Sequence, residues 1–310
     1  MESIFTRKYK NVFIFILLSI VVLLTYLYNE YRRRRQRYSE YLTMNYSPMN
    51  KTVWLLWFQG WDNAPHLQKV VSESWKINNP TWTIRHLDME NLKDYITDIE
   101  YIYDDEKDIS YPAKSDIIRL SLLKNHGGVW ADSTMLCMQP LDSWVEKAME
   151  PSNFWMYHGN GAGMDIKNGP ASWFIVSKKG SYIITKWKEA CDMYWNKNNS
   201  TDNYYWMDSL FKELFETDQR FQNEWNNVPY LSCEEDGSSH TLSKHGVFDN
   251  NHEYIKKIFN KSPPFALKFW KTNNETLSNC EMNSECLDSI GYYAIEMSKK
   301  KYTYDHFSDK

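Results

Sequence analysis

The run from Ser115 to Thr134 constrains this chain more than any other. Ser115-Asp116-Ile117-Ile118-Arg119-Leu120 leads, through Leu122 and Leu123, into Gly127-Gly128-Val129-Trp130-Ala131-Asp132-Ser133-Thr134. The spacing predicts a helix capped by Ser115, because a serine oxygen can accept one of the free amides at a helix start. Ile117, Ile118, Leu120, Leu122 and Leu123 give that helix a broad apolar surface. Asp116 and Arg119, three apart, fall on one side of it. The two glycines let the backbone turn sharply, Val129 and Trp130 favour an extended strand, and Asp132 stands where that strand ends. Open α/β sheets collect ligands at such strand ends. Two acids and an arginine, whose fork suits phosphate or carboxylate, therefore converge on one place.

The surrounding sequence has the same character. Lys51 to Gly60 (Lys-Thr-Val-Trp-Leu-Leu-Trp-Phe-Gln-Gly) reads as a first strand opening into a loop, residues 65–77 as a helix, and Asn79 to Arg85 as a second strand. Strand, helix and strand at this spacing begin a nucleotide-binding α/β unit. Downstream, Trp173 to Ser177 reads as a strand and Ser181 to Trp195 as a helix, followed by Tyr204 to Phe211 and by Pro264-Phe265-Ala266-Leu267-Lys268. Gly159 to Gly163 and Gly169-Pro170 flank a segment with loop chemistry.

Ser-Asp, an Arg three residues on, Gly-Gly, an aromatic residue and an acid together resemble glycosyltransferase family 32, whose sugar-binding region carries a DXD motif. The pattern is most similar to the capsular polysaccharide synthesis branch of that family, and the likeness covers about residues 51–270. The resemblance implies an α/β, GT-A-like nucleotide-diphospho-sugar transferase fold, a Rossmann-like mixed sheet flanked by helices behind one N-terminal transmembrane helix. It implies a membrane-anchored, retaining glycosyltransferase that moves a sugar from a nucleotide-diphosphate sugar to a glycan or lipid hydroxyl, with Mn²⁺ or Mg²⁺ as cofactor. By the same resemblance, Asp132 contacts the donor and its metal, Asp116 and Arg119 line the donor pocket, Trp57 packs beside the base, and Asp208 is the polar residue of the second half. Lys268 lies in the closing segment, and a divalent cation held through Asp132, with Arg119 or Lys268 nearby, would stabilise a departing diphosphate. Thr134 stands where DXD has its last acid, as in an Asp-small-Thr version of the motif, and its hydroxyl is the expected second metal contact, through a bound water. Two other readings stay open: an inactive transferase-like domain that binds glycans or partners, and a nucleotidyltransferase, since a strand-end acid serves several phosphate chemistries.

The chain's 310 residues, 42% of them hydrophobic, suffice for one catalytic domain at 51–272 once the first 50 are set aside. A net charge of -4 gives no general attraction to nucleic acid, so no such partner is expected. Residues 12–28 carry no charge and are long enough to span a bilayer core. They read as an uncleaved anchor after a short tail at 1–11, because Asn29-Glu30-Tyr31 and Arg32 to Arg35 follow them instead of the small residues of a cleavage site. Residues 29–50 read as a basic stem and 273–310 as a polar tail. Arg7, Lys8 and Lys10 before the span, against Arg32 to Arg35 and Arg37 after it, place the domain in the cytosol by charge count, whereas the resemblance implies the Golgi or ER lumen. Cys280 and Cys286 could close a small loop in an oxidising compartment.

Overall fold

A computed structural model describes residues 4–46, 48–165, 167–245, 247, 253–270, 273, 277 and 289–300, without the side chains of 4–13, 37–46 and 244. Cys280 and Cys286, and most of the polar tail, lie outside the described residues. Two compact units follow from the contacts within the chain, residues 1–47 and 48–310.

The first unit is one helix, α1 (Ile4–Tyr46), which includes most of the segment expected as a stem. Ile14 to Gln36 within it is apolar enough, and long enough, to cross a membrane. Its apolar side chains, Phe15, Val22 and Leu24 among them, are exposed in the unit.

The second unit opens with β1 (Thr52–Leu56), α2 (His66–Asn78) and β2 (Thr83–Leu87), the expected strand, helix and strand. Next come α3 (Tyr111–His126), β3 (Gly128–Ala131), β4 (Met135–Cys137), α4 (Val145–Met149), β5 (Phe154–Gly159) and β6 (Gly169–Ser177). Helices α5 (Tyr182–Lys197), α6 (Trp206–Thr217), α7 (Gln219–Asn226), α8 (Thr241–Lys244) and α9 (Glu253–Lys261) lead to β7 (Ala266–Lys268), and a last described helix spans Ile290–Ser298. The main sheet has the order β2-β1-β3-β6-β5, and β4 and β7 form a second, two-stranded sheet. β1 runs parallel to β2 and β3, with Trp54 opposite Trp130, while β6 is antiparallel to β3 and β5. This is the α/β class expected, a mixed Rossmann-like sheet flanked by helices. The burial of β1 and β3 along their whole lengths explains why they read as continuous apolar runs and not as alternating ones.

The helix before the glycines begins earlier than its sequence suggests. Ser110, not Ser115, is the cap: its side chain accepts from the amide of Ala113, and Pro112 follows in the first turn, where its missing amide costs nothing. Ser115 lies inside the helix, facing the same side as Arg119.

At the other end of α3, Gly127 and Gly128 have φ of 71° and 106°, in the left-handed region that L side chains avoid. The turn is also packed against its neighbours. A Cβ on Gly128 would stand 2.6 Å from the Thr52 carbonyl oxygen, and the Gly127 carbonyl accepts a 2.9 Å bond from the Trp54 indole. These glycines let β3 enter the sheet directly from α3 and close against β1. Gly180 has φ of 66° but open space around its Cβ position. Gly128→Ala should therefore cost about 3 kcal/mol or more, and Gly180→Ala about 1 kcal/mol, in denaturant unfolding of the full chain in detergent. Equal costs would mean that β3 does not depend on this close approach.

Candidate active site

The parallel strands β1 and β3 direct their carboxyl ends to the same edge, and the expected residues gather there. Trp57 follows β1, its amide bonded to the Leu87 carbonyl at 3.0 Å. Asp132 follows β3, its amide donating to the Trp173 carbonyl of β6 at 2.9 Å and its own carbonyl closing a tight turn to Met135. Asp116 and Arg119 come from α3, Asp208 from the first turn of α6, and Lys268 from the end of β7. All of them, with Thr134, line one cleft of about 820 Å³.

Asp132 is the hub. Its Oδ1 accepts from Arg119 Nη2 at 3.2 Å and from the Trp130 indole at 3.0 Å, and its Oδ2 accepts from Lys268 Nζ at 2.7 Å. Burial alone would push this carboxyl up, but Lys268 and Arg119 hold it below the usual carboxylate range. Arg119, only 6% exposed, also donates from Nη1 to the Ser172 carbonyl and hydroxyl at 2.9 and 3.1 Å. Its Nη2 lies 3.2 Å from Asp116 Oδ1, so one nitrogen serves both acids. Each cation stands over an indole, Arg119 at 5.3 Å from the Trp130 ring and Lys268 at 5.9 Å from that of Trp173.

The other two acids behave differently. Burial pushes Asp116 up to about 6, against the pull of Arg119 and with a further push from the charge of Asp132. Burial and the charge of Asp116 push Asp208 up to about 7. A Cβ on Gly161 would lie 2.7 Å from Asp208 Oδ2, so the turn between β5 and β6 packs directly against that carboxyl.

A divalent ion shared by Asp132 and Thr134 does not fit this donor set. Both oxygens of Asp132 are already taken by cationic or indole donors, and position 134 has no carboxylate; its buried threonine contributes its carbonyl to the amide of Phe269. Magnesium and manganese prefer several oxygen ligands, mostly carboxylates and waters. A cluster of different chemistry lines the same cleft: Cys233, Glu234 and His240 place their ligand atoms within 4.8 Å of one another, with His240 Nδ1 2.9 Å from Glu234 Oε1. The three fall within residues 233–240, at a spacing that matches no familiar metal motif.

The family pattern of capsular polysaccharide synthesis proteins matches residues 8–285. The chain belongs to that family. The chain is 28% identical over 167 residues to the glycosyltransferase afumC of Aspergillus fumigatus, covering 47% of the chain and 41% of the relative. It is 24% identical over 172 residues to the O-glycosyltransferase braB of Annulohypoxylon truncatum, covering 50% and 40%. The chain thus spans less than half the length of these curated relatives. Among solved structures it is similar to the PaToxG glycosyltransferase (TM-score 0.37, 13% identity, 86% of this chain and 96% of the other). It is also similar to the apo-form glycosyltransferase GlyE of Streptococcus pneumoniae (TM-score 0.40, 12% identity, 84% and 66%).

Removing Arg119 would leave Asp116 and Asp132 facing each other without their shared cation. Arg119→Ala should cost roughly 3–5 kcal/mol in denaturant unfolding, the range for breaking a buried pair from one side. Asp116→Asn in the same background should recover part of that loss. No recovery would show that the two carboxylates do not repel.

Proposed function

We propose that this chain is a GT-A-like glycosyltransferase that moves a sugar from a nucleotide-diphosphate sugar to a hydroxyl of a glycan or lipid, with retention at the anomeric carbon, in polysaccharide or glycoconjugate synthesis. The observation that carries the proposal is the placement of Asp132 at the carboxyl end of β3, between Arg119 and Lys268, in a cleft whose wall also holds Asp116 and Asp208. The curated relatives, both named glycosyltransferases, support the same reading. The apolar part of α1 is read as an uncleaved membrane anchor that keeps residues 51–272 near lipid-linked or growing glycans.

The cleft suits such a donor. Its volume lies within the range of small-molecule sites. Trp57, with Tyr204 and Tyr205 exposed at the cleft, offers flat faces for a base or a sugar ring. Breaking the bond from the anomeric carbon to the diphosphate builds negative charge on the departing oxygens. Arg119 and Lys268 are preplaced to meet that charge, and a cation fixed in a partly dry cleft does so without reorganising. Asp132 holds the two cations in position and, on this reading, contacts the donor sugar. The acceptor oxygen approaches on the face from which the diphosphate leaves. Asp208 takes up its proton, since a carboxyl held near 7 can both accept and release protons at neutral pH.

Two measurements test this proposal on the full chain in detergent. Incubation with a panel of nucleotide sugars should release nucleoside diphosphate, and Asp132→Ala should lower that release by roughly 100-fold or more. No cleavage of any nucleotide sugar, full activity in Asp132→Ala, or consumption of triphosphates instead would overturn the assignment. The base is active only when ionised, so the turnover rate should rise with pH through about 7 and then level off. Asp208→Asn should lower turnover by roughly 100-fold and abolish that rise; a rise that survives the substitution would remove Asp208 from the base role.

A further inference from the structure

We infer that Lys268 supplies, as part of the protein, the positive charge that a divalent ion supplies at a DXD site, so that this chain binds the diphosphate of its donor without a metal. The inference rests on the nucleotide-sugar reading above and deepens it.

The first ground is occupancy. Lys268 Nζ lies 2.7 Å from Asp132 Oδ2, on the oxygen left open by Arg119 and Trp130. A magnesium ion would need to approach a carboxylate oxygen to about 2.0–2.1 Å, inside the shell that the ammonium already fills. Ion and ammonium would then compete for one carboxylate at a separation where like charges repel strongly.

The second ground is how firmly the lysine is placed. β7 is registered against β4, with Lys268 opposite Met135. The Lys268 amide donates to the Ser239 carbonyl, and the next amide, that of Phe269, donates to the Thr134 carbonyl, both at 2.9 Å. The residue that lacks the second acid is therefore hydrogen-bonded to the neighbour of the residue that brings the cation. The lysine side chain is only 13% exposed and lies against the Trp173 ring, so it is not a solvated surface lysine that swings through the cleft at random.

The third ground is charge balance. Asp116 and Asp132 face Arg119 and Lys268, two acids against two cations. Asp132 is thus matched by a cation on each of its oxygens, and the same two cations face the cleft in which a diphosphate would arrive. The Cys233, Glu234 and His240 group does not replace the missing ion, because its thiol and imidazole chemistry suits zinc and not the magnesium or manganese of diphosphate binding.

The test is calorimetric titration of UDP, GDP, CDP and dTDP into the full chain in detergent, once with EDTA and once with Mn²⁺, with the Mn²⁺ electron paramagnetic resonance signal followed in parallel. At least one nucleotide should bind with the same Kd, within about twofold, under both conditions, and the manganese spectrum should remain that of manganese with nucleotide alone when protein is added. Lys268→Met should weaken that binding by about tenfold or more, while Lys268→Arg retains most of it. Binding strengthened about tenfold or more by Mn²⁺ in the unsubstituted chain, or unchanged in Lys268→Met, would overturn the inference. If none of the four nucleotides binds under either condition, the nucleotide-sugar reading itself falls, and the role of Lys268 falls with it. The comparison of EDTA with Mn²⁺ uses the unsubstituted chain, so it decides the question even if Lys268→Met does not fold.

Discussion

One carboxylate held between two cations organises this molecule. Asp132 meets an arginine 13 positions before it and a lysine 136 positions after it. A carboxylate with three quarters of its side chain out of water is costly unless it is paired, and an unpaired cation beside it is equally so. The docking of α3 against β3 and of β7 against β4 must therefore be correct together. The small β4 and β7 sheet makes this possible because it lies between two apolar clusters. Met135, Cys137 and Ala266 belong to the main core, while Leu136, Leu267 and Phe269 belong to a second cluster with Leu67, Val71 and Phe259. Successive strand side chains point to opposite faces, so Leu267 and Phe269 fix one face of β7 and Lys268 must leave from the other. The lysine is aimed by the hydrophobic residues on either side of it.

Within one cleft the same environment pushes three aspartates in opposite directions. All three are drawn out of water, which favours the neutral acid. Asp132 has two cations and stays ionised, whereas Asp116 shares one nitrogen of Arg119, and Asp208 has the charge of Asp116 as a neighbour. For Asp208 the folded chain holds a proton that the unfolded chain releases between about 4 and about 7. Its contribution to stability is present at low pH and lost as the pH rises through that window. An ionised Asp208 at neutral pH is thus a structural burden, the expected cost of a group tuned for proton transfer.

Local patterns were legible in the sequence, and contacts between distant segments were not. The Gly127 and Gly128 turn, the strand-end place of Asp132 and the opening strand, helix and strand follow from propensity and spacing over a few residues. The helix start is ambiguous in the sequence because Ser110 and Ser115 are both acceptable caps, and the fold takes Ser110, two residues before Pro112, whose fixed geometry suits a first turn. The pairing of Lys268 with Asp132 had no local signal at all. A lysine ending a short apolar segment is ordinary until β7 is placed beside β4. Cys233, Glu234 and His240 fall within eight consecutive residues, but their spacing matches no familiar metal motif, and the turns ahead of α8 bring their ligand atoms together.

The threonine at position 134 then acquires a physical sense that its sequence does not give. An acid there would stand beside Asp132 in a partly buried cleft, and two close carboxylates demand either a shared proton or a strong positive charge between them. With threonine, one carboxylate remains at the strand end, and one ammonium with one guanidinium is enough for it. The substitution lowers the local negative charge, and β7 supplies a cation through the hydrogen bond from Phe269 to Thr134 itself. A cation built into the chain is present at a fixed position whatever the ionic conditions. It carries one charge and must also serve as the partner of Asp132, so the strength of its hold on a diphosphate is set by how readily Asp132 shares it. Arg119, anchored to Ser172, Ser115 and both acids, has little freedom to move. Lys268, held by β7 and lying on Trp173, makes a single carboxylate contact, so its ammonium can donate to a ligand oxygen without leaving Asp132.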